Sequence, residues 1–143
     1  MLLKNLVFLT KTDTAIGFVS QNSDKLNEIK KRSSDKQFIT TFPSLNNIPS
    51  RIPVCHRHIV RCAVKTSFIT PNQKSFRVSR DKEHNKLLSR LGWAFSTSAN
   101  LSGHDYDEEF AINCADVIVL PLKTNSSPSS ILKLGKSKIK KVR

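Results

Sequence analysis

Residues 96–103 read Ser96-Thr97-Ser98-Ala99-Asn100-Leu101-Ser102-Gly103. Ala94 to Ser98 carries the composition of a β-strand, so this stretch is a strand running into a polar loop that ends on glycine. Closely spaced hydroxyls and amides of this kind fix carboxylate, ribose or phosphate oxygens by hydrogen bonds. Two further polar segments flank buried strands. Lys11-Thr12-Asp13-Thr14 lies between the first two β-like pieces, and Lys30 to Lys36 leaves the first helix. Open α/β sheets place ligands at strand ends. Lys and Arg neutralise phosphate there, Arg bidentately. Chemistry on a triphosphate needs that mixture of cations and neutral orienting groups. Taken singly, each segment also fits an ordinary turn or a solvated helix end.

Outward from that loop, Asn5 to Thr10 and Thr14 to Ser20 read as strands, and Ser23 as the cap of a helix running to Arg32. Gln37 to Phe42 is a strand, and Asn46 to Pro53 a loop. Ala63 to Thr70 and Lys74 to Ser79 form a hairpin across Pro71-Asn72-Gln73. Lys82 to Leu91 is a helix stopped by Gly92. Asp107 to Asn113 is a short helix with acids in its first turn. Ala115 to Leu120 reads as a buried strand, and Ser130 to Leu134 with Ser137 to Val142 as a last hairpin. Trp93 reads as core. The expected class is α/β: one domain over residues 1–143, with a twisted mixed sheet and flanking helices.

The 143 residues include 24 Lys and Arg against 11 Asp and Glu, a net charge of +13. Such a field favours nucleic acid, nucleotide phosphates or an anionic surface. Residues 133–143 alone hold six of the cations, and Lys30-Lys31-Arg32 is a second group. The four glycines are too dispersed for a Rossmann or Walker loop. No apolar run reaches the roughly 18 residues of a membrane span. Three cysteines, an odd number, argue against a disulfide framework. The apolar N-terminus lacks the cationic region and cleavage site of a signal peptide. A cytoplasmic protein is expected.

Five segments in order resemble the YrdC/TsaC-type threonylcarbamoyl-adenylate synthases. They are KTDTAIG (residues 11–17), IKKRSSDK (29–36), FRVS (76–79), STSANLSG (96–103) and PSSILKL (128–134). The resemblance implies a sheet around a large positively charged cavity. It implies synthesis of threonylcarbamoyl-AMP and pyrophosphate from L-threonine, bicarbonate and ATP, with Mg²⁺, for threonylcarbamoyladenosine in tRNA. On this reading Lys30 and Arg32, with Ser98 and Asn100, hold the ATP phosphates and the carboxylated threonine. Thr12 binds threonine, Lys36 and Arg77 add positive charge, and Ser129 contacts the nucleotide. Other tRNA-modification proteins are implied as partners.

The chain departs from the family pattern at several places. Ile16 stands where an aromatic is usual, and Lys11 and Ser33 replace prolines. Val60 to Phe68 occupies the place of the P-G-P-(V/F)-T segment. No His-Pro follows Arg77-Val78 in register. A rival reading is a non-catalytic module that binds tRNA or double-stranded RNA, and a third is a structural subunit of a modification assembly. Cys55, His56, His58 and Cys62 have no zinc-finger spacing and are read as part of a basic loop. No metal-binding residue is assigned.

Overall fold

A computed structural model describes residues 3–31, 38–49, 52–72, 74–101, 103–122 and 130–142. Nine strands form one mixed sheet: β1 (Phe8–Lys11), β2 (Ile16–Ser20), β3 (Ile39–Phe42), β4 (Thr66–Ile69), β5 (Ser75–Val78), β6 (Ala94–Ser98), β7 (Val117–Ile118), β8 (Ser130–Leu134) and β9 (Ile139–Lys141). Their spatial order is β7-β1-β2-β6-β3-β5-β4-β8-β9. The β1–β2, β4–β5 and β8–β9 hairpins are antiparallel, whereas β1–β7, β3–β5 and β4–β8 are parallel. Four helices flank the sheet: α1 (Ser23–Lys30), α2 (Arg57–Cys62), α3 (Lys82–Leu91) and α4 (Glu108–Cys114). No described helix is long and apolar enough to cross a membrane.

Strand alternation sorts the two faces. One face carries Leu9, Phe18, Phe38 and Phe95, which pack with Leu26 of α1 and Ala111 of α4. Further along it, Phe42, Phe68, Phe76, Val78 and Leu134 pack with Ile52 and with Val60 of α2. The opposite face carries Phe8, Val19 and Ala94 beneath Leu88 of α3. That second face then turns polar: Thr41, Ser67, Arg77 and Ser96 are all buried on it. Cross-strand pairs set Thr41 and Ser67 on either side of Arg77.

The caps explain the helix limits. Asp81 accepts from the backbone N–H groups of Glu83 and His84 and starts α3, and Gly92, at φ 86°, stops it. Asp107 caps α4 the same way. The α1 cap is Asn22, whose side chain accepts from Lys25 N–H, and not Ser23. Helix α1 ends at Lys30 because Lys31 takes the left-handed conformation (φ 50°).

Three expectations are corrected. The 57–62 stretch is a helix and not a loop, because Val60 turns onto the core while Arg57 and Arg61 face water. The 115–120 stretch is not a fully buried strand. Only Val117 and Ile118 pair, and Leu120 is 75% exposed, since β7 is the sheet edge. Trp93 is not core: it is 37% exposed and stands edge-on to Phe95.

Gly17 lets β2 approach β6. A Cβ there would lie 2.7 Å from the Thr97 carbonyl oxygen. Backbone atoms cannot yield as a flexible side chain does. Gly17→Ala is therefore expected to cost about 2 kcal/mol in urea unfolding, within the usual range for overpacking. An unchanged midpoint would show that β2 and β6 can part without cost.

Candidate functional site

Three chain segments far apart in sequence meet at the polar end of the sheet. The first is Lys30, last residue of α1. The residue is 3% exposed, and its ammonium donates to the Ser98 carbonyl (2.9 Å), the Asn100 carbonyl (2.5 Å), Asn100 Oδ1 (3.1 Å) and Ser98 Oγ (3.4 Å). The second is the loop after β6. Ser98 Oγ donates to Asn100 Oδ1 at 2.5 Å, and Asn100 Nδ2 donates to the His104 carbonyl at 2.5 Å. An ammonium that gives up water needs such a set of acceptors in return. Lys30 thus ties the end of α1 to the loop and fixes the direction of the Asn100 amide.

The third segment is the β1–β2 turn. Thr12 is 3% exposed. Its Oγ donates to the Ala15 carbonyl (2.7 Å) and accepts from the backbone N–H groups of Thr14 and Ala15. The hydroxyl thereby shapes the turn that presents Asp13 and Thr14. Arg77, from β5, reaches this turn. Its Nε lies 3.4 Å from Asp13 Oδ1, with both side chains almost fully buried, and its Nη1 donates to Thr14 Oγ at 3.4 Å. Burial pushes the Asp13 carboxyl above its usual range, and the Arg77 charge pulls it back.

Removing one partner of a buried ion pair leaves the other charge uncompensated. Asp13→Ala is expected to cost about 3 kcal/mol of stability, in line with other broken buried pairs. Urea titration of this variant checks it. A loss below about 0.5 kcal/mol, the size expected of a surface pair, would place the guanidinium in water instead.

Of the residues singled out from the sequence, Lys30, Ser98 and Asn100 are bonded to one another, and Thr12 and Arg77 share the β1–β2 turn. Arg32, Lys36 and Ser129 lie outside the described residues. The sequence reading missed Asp13, Thr14 and His84. Asp13 and Thr14 sit in the quoted KTDTAIG segment, where the D and second T were the available signal. His84 is 2% exposed in the first turn of α3, and no side-chain partner for its ring nitrogens is found among the described residues.

The Cys–His stretch is dispersed. His56 bonds the Gly135 carbonyl at 2.8 Å, and Cys55 reaches toward the Lys136 carbonyl. Cys62 lies 3.8 Å from the His58 ring one turn away. No group of three or more metal-ligating side chains occurs among the described residues.

No protein-family model matches the chain. The chain is 29% identical over 104 residues to protein MG259 of Mycoplasma genitalium, covering 71% of this chain and 22% of that protein. It is 27% identical over 147 residues to the Mycoplasma pneumoniae homolog of MG259, covering 95% and 32%. It therefore spans less than a third of the curated relatives it matches. Among solved structures, P. abyssi Sua5 complexed with L-threonine superposes with a TM-score of 0.81 at 15% identity, over 96% of this chain and 50% of that one. E. coli YciO gives 0.73 at 18% identity, over 96% and 82%. HypF in its phosphate- and nucleotide-bound form gives 0.74 at 14% identity, over 96% and 26%. The chain has the YrdC-like fold that Sua5 and YciO share.

Proposed function

We propose that this chain joins L-threonine, bicarbonate and ATP into threonylcarbamoyl-AMP, releasing pyrophosphate, for threonylcarbamoyladenosine modification of tRNA. The observation that carries the reading is the bonding of Lys30 to both Ser98 and Asn100, which brings two of the five resembling segments into one site. The fold supports it, as does the L-threonine in the Sua5 neighbour.

In the proposed reaction the threonine amine attacks bicarbonate and water leaves. The carbamate oxygen then attacks the α-phosphorus of ATP, and the bond to the β-phosphate oxygen breaks. Pyrophosphate carries away the electron pair. Positioning and charge neutralisation supply the rate, without a protein nucleophile. Lys30, with Arg32 and Lys36, meets the phosphates. A phosphate oxygen replaces neutral acceptors around the Lys30 ammonium with a stronger, charged one. Ser98 and Asn100 orient the threonine carboxylate and the carbamate. Arg77, held by Asp13 and Thr14, adds positive charge, and Ser129 meets the nucleotide. Magnesium, bound with the triphosphate, would neutralise phosphate charge; Asp13 faces Arg77, and no described side-chain cluster would hold the ion.

Charge placement favours tRNA as a second partner of the same protein. No acid occurs from Lys36 to Arg80, a stretch with eight cations, nor after Asp116, where seven follow. Lys133 and Lys140 pair across β8 and β9 on the Arg77 face of the sheet. A phosphate backbone relieves that like-charge contact.

Magnesium-ATP is expected to raise the thermal midpoint of the protein, because it binds only the folded state. Arg77→Lys keeps the charge but loses the fork, and should lose most of that rise. A midpoint that ATP does not move in the presence of threonine and bicarbonate would overturn the reading.

A further inference from the structure

The face of the sheet under α1, opposite the buried Arg77, holds a second, different site. Cross-strand register sets Phe95, Thr40 and Phe76 in one row over β6, β3 and β5. They form the floor of an open bay of about 660 Å³, which Phe42 of β3 and Phe38, just before that strand, flank. Phe38 and Phe95 belong to the core under α1, and Phe42 and Phe76 to the core under α2. The bay is the gap between those two cores. Asn27 of α1 forms one wall, and Ile48 and Pro49 the other. Trp93 stands at its edge with its ring 5.1 Å from that of Phe95, nearly perpendicular.

We propose that this bay binds a planar aromatic anion, of the size of a nucleoside monophosphate. Five aromatic rings around one space offer faces and edges on which a flat ring system stacks, and the volume is that of a small-ligand pocket. Asn27 and Thr40 supply a side-chain amide and a hydroxyl that can read ring-edge nitrogens. The sole charged side chain among the described lining residues is Lys74, at the β4–β5 turn, and none of them is a carboxylate. The charge it selects is therefore negative. Strand alternation turns Arg77, Ser96 and Ser98 to the opposite face, and neither Lys30 nor Asn100 lines the bay, so the proposed synthase groups lie outside it.

The chain contains a single tryptophan, and it is the one at the bay. Its fluorescence reports this site alone. Titration with AMP should quench Trp93 saturably, and adenosine should do so more weakly. Lys74→Ala should weaken AMP about tenfold and leave adenosine unchanged, the effect of one charge-assisted hydrogen bond. Thr40→Phe, which fills the floor, should abolish quenching. Where that variant does not fold, Asn27→Phe fills the bay from its α1 wall. Lys30→Ala should retain quenching, so the two sites fail separately. Linear, non-saturating quenching by AMP would overturn the proposal, as would saturable quenching that survives the filling variants. AMP affinity unchanged in Lys74→Ala would overturn its anionic part.

Discussion

Replacing Lys30 with methionine is expected to reduce pyrophosphate release by about 10²- to 10³-fold, the cost of removing one preorganised electrostatic group. The same change should lower stability by about 2 kcal/mol. Among the described residues, the ammonium donates to acceptors of both Ser98 and Asn100. Methionine fills much of the volume but leaves those oxygens without their donor. Ser98 and Asn100 are partly solvated, so water recovers some of the loss and keeps the stability cost moderate. The two effects separate by site: Lys30→Met in urea tests the tie between α1 and the loop, and turnover tests the phosphate role. Wild-type turnover in a folded Lys30→Met protein would remove Lys30 from the machinery.

Acidification is expected to unfold the chain through His84. Burial lowers its pKa from 6.5 to about 4, with Asp81 opposing and Arg77 reinforcing the fall. Below pH 6.5 the unfolded chain takes up a proton at this histidine that the folded chain refuses. Stability therefore drops as pH falls from 6.5 toward 4, by about 3 kcal/mol for this group. Asp13 acts with the opposite sign, since its raised pKa lets the folded state take up a proton first. His84→Leu should remove the His84 contribution and flatten the fall between pH 6.5 and 4. Parallel acid profiles of the two proteins would place the His84 ring in contact with water.

Much of this architecture could be read from the residues. The end of α3 follows from Gly92, and the β4–β5 and β8–β9 hairpins follow from their turn residues. The meeting of Lys30 with Ser98 and Asn100 followed from the resembling segments, since nothing in the 68-residue separation itself implies contact. Other features were hidden for physical reasons. Helix α2 has no side-chain N-cap and is rich in arginine and histidine, so only burial of Val60 marks its inner face. Residues 115–120 look apolar throughout, yet their position at the sheet edge leaves Leu120 in solvent. Trp93 and the aromatic bay depend on how far apart two cores settle. That spacing belongs to tertiary packing and leaves no periodicity in the chain.

The synthase reading stands on one assay above others: pyrophosphate release from magnesium-ATP by the purified chain, with L-threonine and bicarbonate each supplied or withheld. The proposed chemistry predicts release only when both are present. Release that ignores either co-substrate, or none from folded protein supplied with all three, would contradict it.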